Sequence, residues 1–173
     1  MLPGRCVGAK PNLRAFGGEK WGKLEHQNRF ERAMSFFKGS ELYSVDAKGR
    51  VSLPAKMRKN LAPEANDTVV VSRGTDDEPC IYAYPLDEWR KFEESLKALN
   101  QFQERDRFFV RTLLLWADEV TLDSQARISI PKGLVDFTGI DKAALIVGAI
   151  DHVEIWKPET FDNYLNGRTE SYA

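Results

Sequence analysis

Residues 43–54, YSVDAKGRVSLP, and residues 120–131, VTLDSQARISIP, are one pattern written twice. Laid over each other, Asp46 falls on Asp123, Arg50 on Arg127, Ser52 on Ser129 and Pro54 on Pro131. The parallel continues downstream. The β-branched run TVVVSR (68–73) answers ALIVGA (144–149), and IYAYP (81–85) answers EIWKP (154–158), both followed by amphipathic helical sequence. Each unit therefore reads strand, tight turn, strand, short helix, strand, strand, helix start. A unit of about 45 strand-forming residues buries too little apolar surface to stand alone. Two units in one chain can share a core about a pseudo-twofold axis. The expectation is an α+β fold in which both repeats build one β-barrel, with the helices outside it.

Between the units, residues 87–117 read as a helical insert. Trp89, Phe92, Leu96 and Leu99 recur at helical spacing, and so do Phe102, Phe109, Leu113 and Trp116. Asn100-Gln101 supplies a break, which predicts an αα-hairpin. A further helix starts at Pro158, a residue suited to the first helical position, with Phe161, Tyr164 and Leu165 on one face. These aromatic stripes read as packing surfaces and not as a cofactor box. The resulting partition is a flexible extension over 1–33, a first repeat over 34–86, the insert over 87–117, and a second repeat with a C-terminal helix over 118–173.

Composition narrows the function classes. With 42% apolar and 29% charged residues, the chain has the balance of an ordinary globular protein, which argues against wholesale disorder. No run approaches the roughly 20 apolar residues that cross a bilayer, and the N-terminus lacks the apolar core of a secretory signal. Cys6 and Cys80 form neither a CxxC pair nor a disulfide framework, so two unpaired thiols in a reducing cytoplasm are expected. Charge is uneven. Of 25 basic and 26 acidic residues, seven basic and three acidic lie in residues 1–33, leaving 18 against 23 in the rest. An acidic body argues against indiscriminate coating of nucleic acid. Against that background the cluster Lys48, Arg50, Lys56, Arg58 and Lys59 stands out. The extension itself reads as an upstream leader, with Met34 as the natural start. The sharper alternative is a basic arm that touches nucleic acid.

In the first turn, a three-residue loop Ala47-Lys48-Gly49 needs the positive φ that Gly49 supplies. Asp46 and Arg50 then face each other, and a carboxylate opposite a guanidinium can bond in a bidentate fashion. This pair has two readings. It pins the turn, or it aims Arg50, with Lys48 at the tip, at phosphates and guanine edges. Spacing alone does not choose between them.

The stretch MSFFKGSELYSVDAKGRVSLPAKMR with its echo VTLDSQARISIP resembles the MraZ family of bacterial regulators, over residues 34 to about 165. The resemblance implies two AbrB-like swapped-hairpin units in one chain, a ring of identical subunits, and sequence-specific binding of double-stranded DNA at repeated promoter boxes near division and cell-wall genes. It implies a cytoplasmic, nucleoid-associated regulator, expected to repress, that is not an enzyme and takes no cofactor, metal or small-molecule substrate. The DNA contacts fall on Lys48, Arg50, Lys56 and Arg58, and the turn frame on Asp46, Gly49, Asp123 and Arg127. Two positions depart from the first copy: Gln125 replaces Lys48 and Ala126 replaces Gly49. Alanine tolerates positive φ poorly, so the second loop is expected to differ in shape as well as charge, and Asp123–Arg127 to be structural.

Two rival readings belong to other classes. A pseudo-twofold brings Asp46 and Asp123 into equivalent positions, as in proteases whose aspartates share a proton. An Arg four residues after each Asp opposes that, because it keeps the carboxylate ionised. An antitoxin-like AbrB module that works through protein partners is the second rival, with the helical insert as its docking face. His26 and His152, with two separated cysteines, make no zinc site, and no phosphate-binding glycine loop is present.

Overall fold

A computed structural model of the chain describes residues 35–74 and 78–167. Expectations that concern residues 1–33, Cys6, His26 and Met34 lie outside the described residues. Within them the element order repeats. The first unit runs β1 (Ser40–Ser44), β2 (Arg50–Ser52), α1 (Ala55–Arg58), β3 (Thr68–Arg73), β4 (Ile81–Pro85) and α2 (Leu86–Lys97). After α3 (Glu104–Leu115), the second runs β5 (Asp118–Thr121), β6 (Arg127–Ser129), α4 (Lys132–Thr138), β7 (Ala143–Gly148), β8 (Val153–Trp156) and α5 (Pro158–Asn166). Pro158 occupies the first turn of α5, where its missing N–H leaves no helical bond unmade.

Six strands form one antiparallel sheet in the order β1-β7-β8-β4-β3-β5, and β2 pairs with β6 in a second, two-stranded sheet. The registers obey a pseudo-twofold. Val51 lies opposite its own equivalent, Ile128, at the centre of the β2–β6 pair. Tyr43 opposite Ala144 is matched by Val120 opposite Val69, and Leu42 opposite Leu145 by Glu119 opposite Val70. On the same axis, the β4–β8 pair centres on Tyr82 opposite Glu154.

The expected barrel is not formed. The six-stranded sheet is open, with β1 and β5 as its edges. The strands that would continue it, β2 and β6, are three residues long and pair with each other across the axis. Back toward β1, β2 is tied by a bridge from Val51 to Val45 and by bonds between Arg50 and Asp46, and not by a continuous ladder. The two sheets face each other, and the main core fills the space between them. Val51, Ile128, Ile130 and Leu134 from the small-sheet side meet Val69, Val71, Ile81, Ile146 and Ile155 from the large one. Each such side chain contributes about 1.5–3 kcal/mol by leaving water.

The repeat overlay needs a shift of one residue in its later strands. The registers make Thr68 equivalent to Ala143 and Ile81 equivalent to Val153, one position earlier in the second repeat than the sequence overlay had it. Every residue of β3 but the last is buried, so its sequence carries no alternation to fix a face. The two prolines that guided the overlay differ in role, since Pro85 ends β4 while Pro158 begins α5. A slip of one exchanges the faces of a strand, so the correction decides which side chains are equivalent.

The insert forms two helices, with the chain turning between them around Asn100-Gln101. They do not pack equally. Trp89 and Leu96 of α2 are buried, with Trp89 against Val70 and Leu86. No residue of α3 is buried, and Phe102 is 95% exposed, with Phe108, Phe109 and Leu115 also open. Of the two phenylalanines read as part of a packing stripe, Phe102 is open to solvent, and Phe109 is half exposed on the same side of α3 as Leu113. Only the α3 face bearing Leu113 reaches the body.

Candidate nucleic-acid interface

The first turn is held by one carboxylate. Asp46 Oδ1 accepts the backbone N–H groups of Lys48 at 2.9 Å and Arg50 at 3.0 Å. Asp46 Oδ2 accepts Arg50 Nε at 2.8 Å and lies 2.7 Å from a terminal guanidinium nitrogen. The Gly49 N–H donates to the Asp46 carbonyl, and Gly49 has φ +73°. These bonds favour the ionised acid. The Arg50 guanidinium, followed by the Arg50 backbone N–H, holds Asp46 at about 2, well below the usual carboxylate range.

The second turn has the same bonds. Asp123 Oδ1 accepts the N–H groups of Gln125 and Arg127, and Oδ2 accepts Arg127 Nε at 2.7 Å. The Arg127 guanidinium likewise holds Asp123 below the ordinary range. Ala126 sits at φ +57°, so it follows the path of Gly49, contrary to the expected change of shape. An L-residue in that region costs about 1–2 kcal/mol. Around Ala126, the Asp123 bonds fix one side and the Leu53 N–H, donating to the Ala126 carbonyl at 2.9 Å, fixes the other. The two loops share their bonds and the positive φ of their third residue, and differ in the charge at their tips.

Across the axis the turns lock together. The Ile130 N–H donates to the Gly49 carbonyl at 3.0 Å, mirroring the Leu53–Ala126 bond. A guanidinium nitrogen of Arg50 lies 3.8 Å from Asp123, and one of Arg127 lies 3.6 Å from Asp46. Two Asp and two Arg thus form one charge-balanced cluster whose side chains are 23–33% exposed. Both aspartates are ionised, the opposite of a pair that shares a proton.

The basic residues named from sequence differ in what holds them. Arg50 is committed to the cluster. The Lys56 ammonium lies 2.6 Å from Glu41 on β1. Lys48 at the turn tip, and Arg58 and Lys59 at the end of α1, are exposed and have no side-chain partner among the described residues. Glu41 is the residue that sequence reasoning missed. Its place on β1 opposite Ile146 puts it beside α1, and nothing in its local sequence signals that meeting. Elsewhere, His152 stacks on Tyr84 at 4.5 Å and bonds Asp151 at 2.7 Å, and Cys80 is a buried thiol that burial pushes up. Among the described residues no group of three or more His, Cys, Asp or Glu could hold a metal ion, and no helix is long and apolar enough to cross a membrane.

The chain matches a family model described as "MraZ protein, putative antitoxin-like" over residues 36–112 and 113–172. It is 40% identical over 136 residues to a protein of Natranaerobius thermophilus named "Transcriptional regulator MraZ", covering 79% of this chain and 91% of that one. A protein of the same name from Desulfitobacterium hafniense is 38% identical over 137 residues, covering 79% of this chain and 92% of that one. Another from Halothermothrix orenii is 36% identical over 136 residues, with 79% and 91% covered.

Proposed function

Because the chain belongs to the MraZ family, we propose that it is a transcriptional regulator that binds double-stranded DNA through the turn of its first repeat. The observation that carries the reading is the asymmetry of two otherwise equivalent turns. The frame of Asp46, Arg50, Asp123 and Arg127 presents both tips side by side, but only the first has an exposed cation, Lys48. Lys48 and Arg58 contact phosphates. Arg50 serves by holding the turn, with its guanidinium already bonded to Asp46, and Lys56 joins the contact by leaving Glu41 for a phosphate.

The rest of the reading follows from the fold. Residues 34–86 and 118–173 are taken as two AbrB-like units, with 87–117 inserted between them. Support comes from β2 and β6, which leave their own hairpins to pair with each other, as interleaved hairpins do. The chain acts as a ring of subunits, supported by the open aromatic side of α3, and represses division and cell-wall genes from repeated promoter boxes in the nucleoid. A ring presents Lys48 many times, so weak contacts add to strong binding when box spacing matches subunit spacing. It works as a regulator and not as a catalyst, a reading supported by aspartates held ionised at the site where an acid pair would act.

The test is retention of genomic fragments by the purified full chain, followed by affinity against salt on the retained sequence. Lys48→Gln is expected to weaken binding and flatten the log–log salt slope by about 0.9 for each phosphate it no longer neutralises. Retention of no sequence above random overturns the regulator. Unchanged affinity and slope in Lys48→Gln overturn the interface. A co-purifying protein with no retained DNA favours the antitoxin-like alternative.

A further inference from the structure

The outer face of the large sheet differs between the two halves. By the pseudo-twofold, Tyr84 is equivalent to Trp156, and Ser72 to Val147. In the second half, Trp156 is covered by Phe161 and Tyr164 of α5, with ring centroids 5.3 and 5.1 Å away. In the first half Tyr84 packs in the same way against Trp89 and Phe92 of α2, with ring centroids 5.9 and 6.2 Å away, but α3 also stands over this side, and a cavity of about 410 Å³ lies between the helices and the strands. Its walls include Tyr82, Tyr84, Trp89, Phe92, Phe109 and Trp116. Cavities of about 300–1,000 Å³ with mostly apolar walls and a few polar groups are the size and character of small-ligand sites.

Arg73, over the Trp116 ring, and Thr112 also line the cavity, and one further polar group, the Ser72 hydroxyl, is buried in its wall. Ser72 lies opposite Tyr82 in the sheet, two residues on from Val70, so its side chain shares the face that carries Tyr82, Tyr84 and the cavity. It is 2% exposed, and its hydroxyl has no hydrogen-bond partner among the described residues. A buried hydroxyl without a partner costs about 1–3 kcal/mol, and packing alone does not call for one, since Val147 fills the equivalent position in the other half. A hydroxyl at the wall of an aromatic cavity is the arrangement that orients a ligand.

We propose that this cavity binds a flat, uncharged aromatic molecule carrying one polar atom, with its ring among Tyr84, Trp89, Phe92 and Trp116 and its polar atom on Ser72 Oγ. Aromatic faces attract a planar ring in offset-stacked or edge-on geometry, and a single hydrogen bond fixes its direction. The site is independent of the DNA interface and stands whether or not that interface does.

The probe is 2-naphthol, with naphthalene as its analogue lacking the hydroxyl, titrated into the full chain while the emission of Trp89 and Trp116 is followed. Saturable one-to-one quenching by 2-naphthol is expected. Ser72→Val is expected to weaken 2-naphthol roughly 3- to 10-fold, the worth of one neutral hydrogen bond, and to leave naphthalene unweakened. Leu113→Trp, which fills the cavity from α3, is expected to abolish both. Melting of each variant separates these effects from unfolding. Quenching that neither variant changes places the probe on the exposed phenylalanines of α3 and overturns the proposal. So does absence of saturable binding, or binding that appears only as the chain self-associates, which would make a second copy the occupant.

Discussion

The turn at residues 46–50 and the turn at residues 123–127 make the same hydrogen bonds and differ at their tips. In each, one carboxylate oxygen takes two backbone N–H groups and the other takes a guanidinium. The first tip reads Lys48-Gly49, the second Gln125-Ala126. A shared frame with unequal tips separates two roles that a single copy confounds. Residues common to both turns answer to the fold, and residues particular to one are free to answer to a partner.

The strongest way to break the structural half of the comparison is at the axis. Ile128→Ala, at a fully buried position, is expected to cost about 2–5 kcal/mol in denaturant unfolding. Val51→Ala should cost less, because fewer buried carbons are removed, but it should act on the same transition. If Val51→Ala proved neutral, the small sheet would not be the shared centre of the two repeats.

The functional half is broken by exchanging the tips. Gln125→Lys is expected to strengthen DNA binding and steepen its salt dependence, the mirror of Lys48→Gln, because its loop already follows the same path. A Gln125→Lys chain with unaltered affinity and slope would mean that the second turn faces away from DNA.

Acid titration sharpens the frame. Asp46 has a folded value of about 2 against an ordinary 3.8, so its contribution to stability is complete above the ordinary value and is lost as pH falls toward 2. Asp123 is shifted in the same direction. Melting followed between about pH 5 and pH 2 should therefore decline less steeply in Asp46→Asn, which begins less stable at neutral pH. An identical decline in variant and parent would remove Asp46 from the linkage.

The smallest expected effects come from the loop residues. Gly49→Ala should cost about 1 kcal/mol through its positive φ, since a Cβ there meets nothing closer than 3.6 Å. Ala126→Gly should change stability by less than about 1 kcal/mol, as relief of strain is offset by a more flexible unfolded chain. A Gly49→Ala cost of several kcal/mol would show that the two loops are not interchangeable after all.

Much of this was legible in the chain. Two copies of an Asp-x-x-x-Arg turn between alternating residues marked the repeat, the element order and the three-residue loops, because turn chemistry and strand period are local. The one-residue slip in the later strands was not legible, since a strand buried on both faces has no polar face to mark its register. The shape of the second loop was misread from Ala126, because a local preference of about 1–2 kcal/mol is overruled when the surrounding bonds fix the path. Lys56 was assigned to DNA without sight of Glu41, fifteen residues earlier on another element. The aromatic stripe of α3 showed that a helix would form, and not whether this chain would cover it.

By itself, then, the sequence determined the repeated unit, its turns, and the place where the two copies part in charge. Those properties depend on neighbours along the chain. Only the tertiary structure decided that β2 and β6 pair with each other, that four charges meet on one axis, and that the barrel stays open. Each of these depends on groups far apart in sequence coming within a few ångströms, and no local pattern encodes that distance.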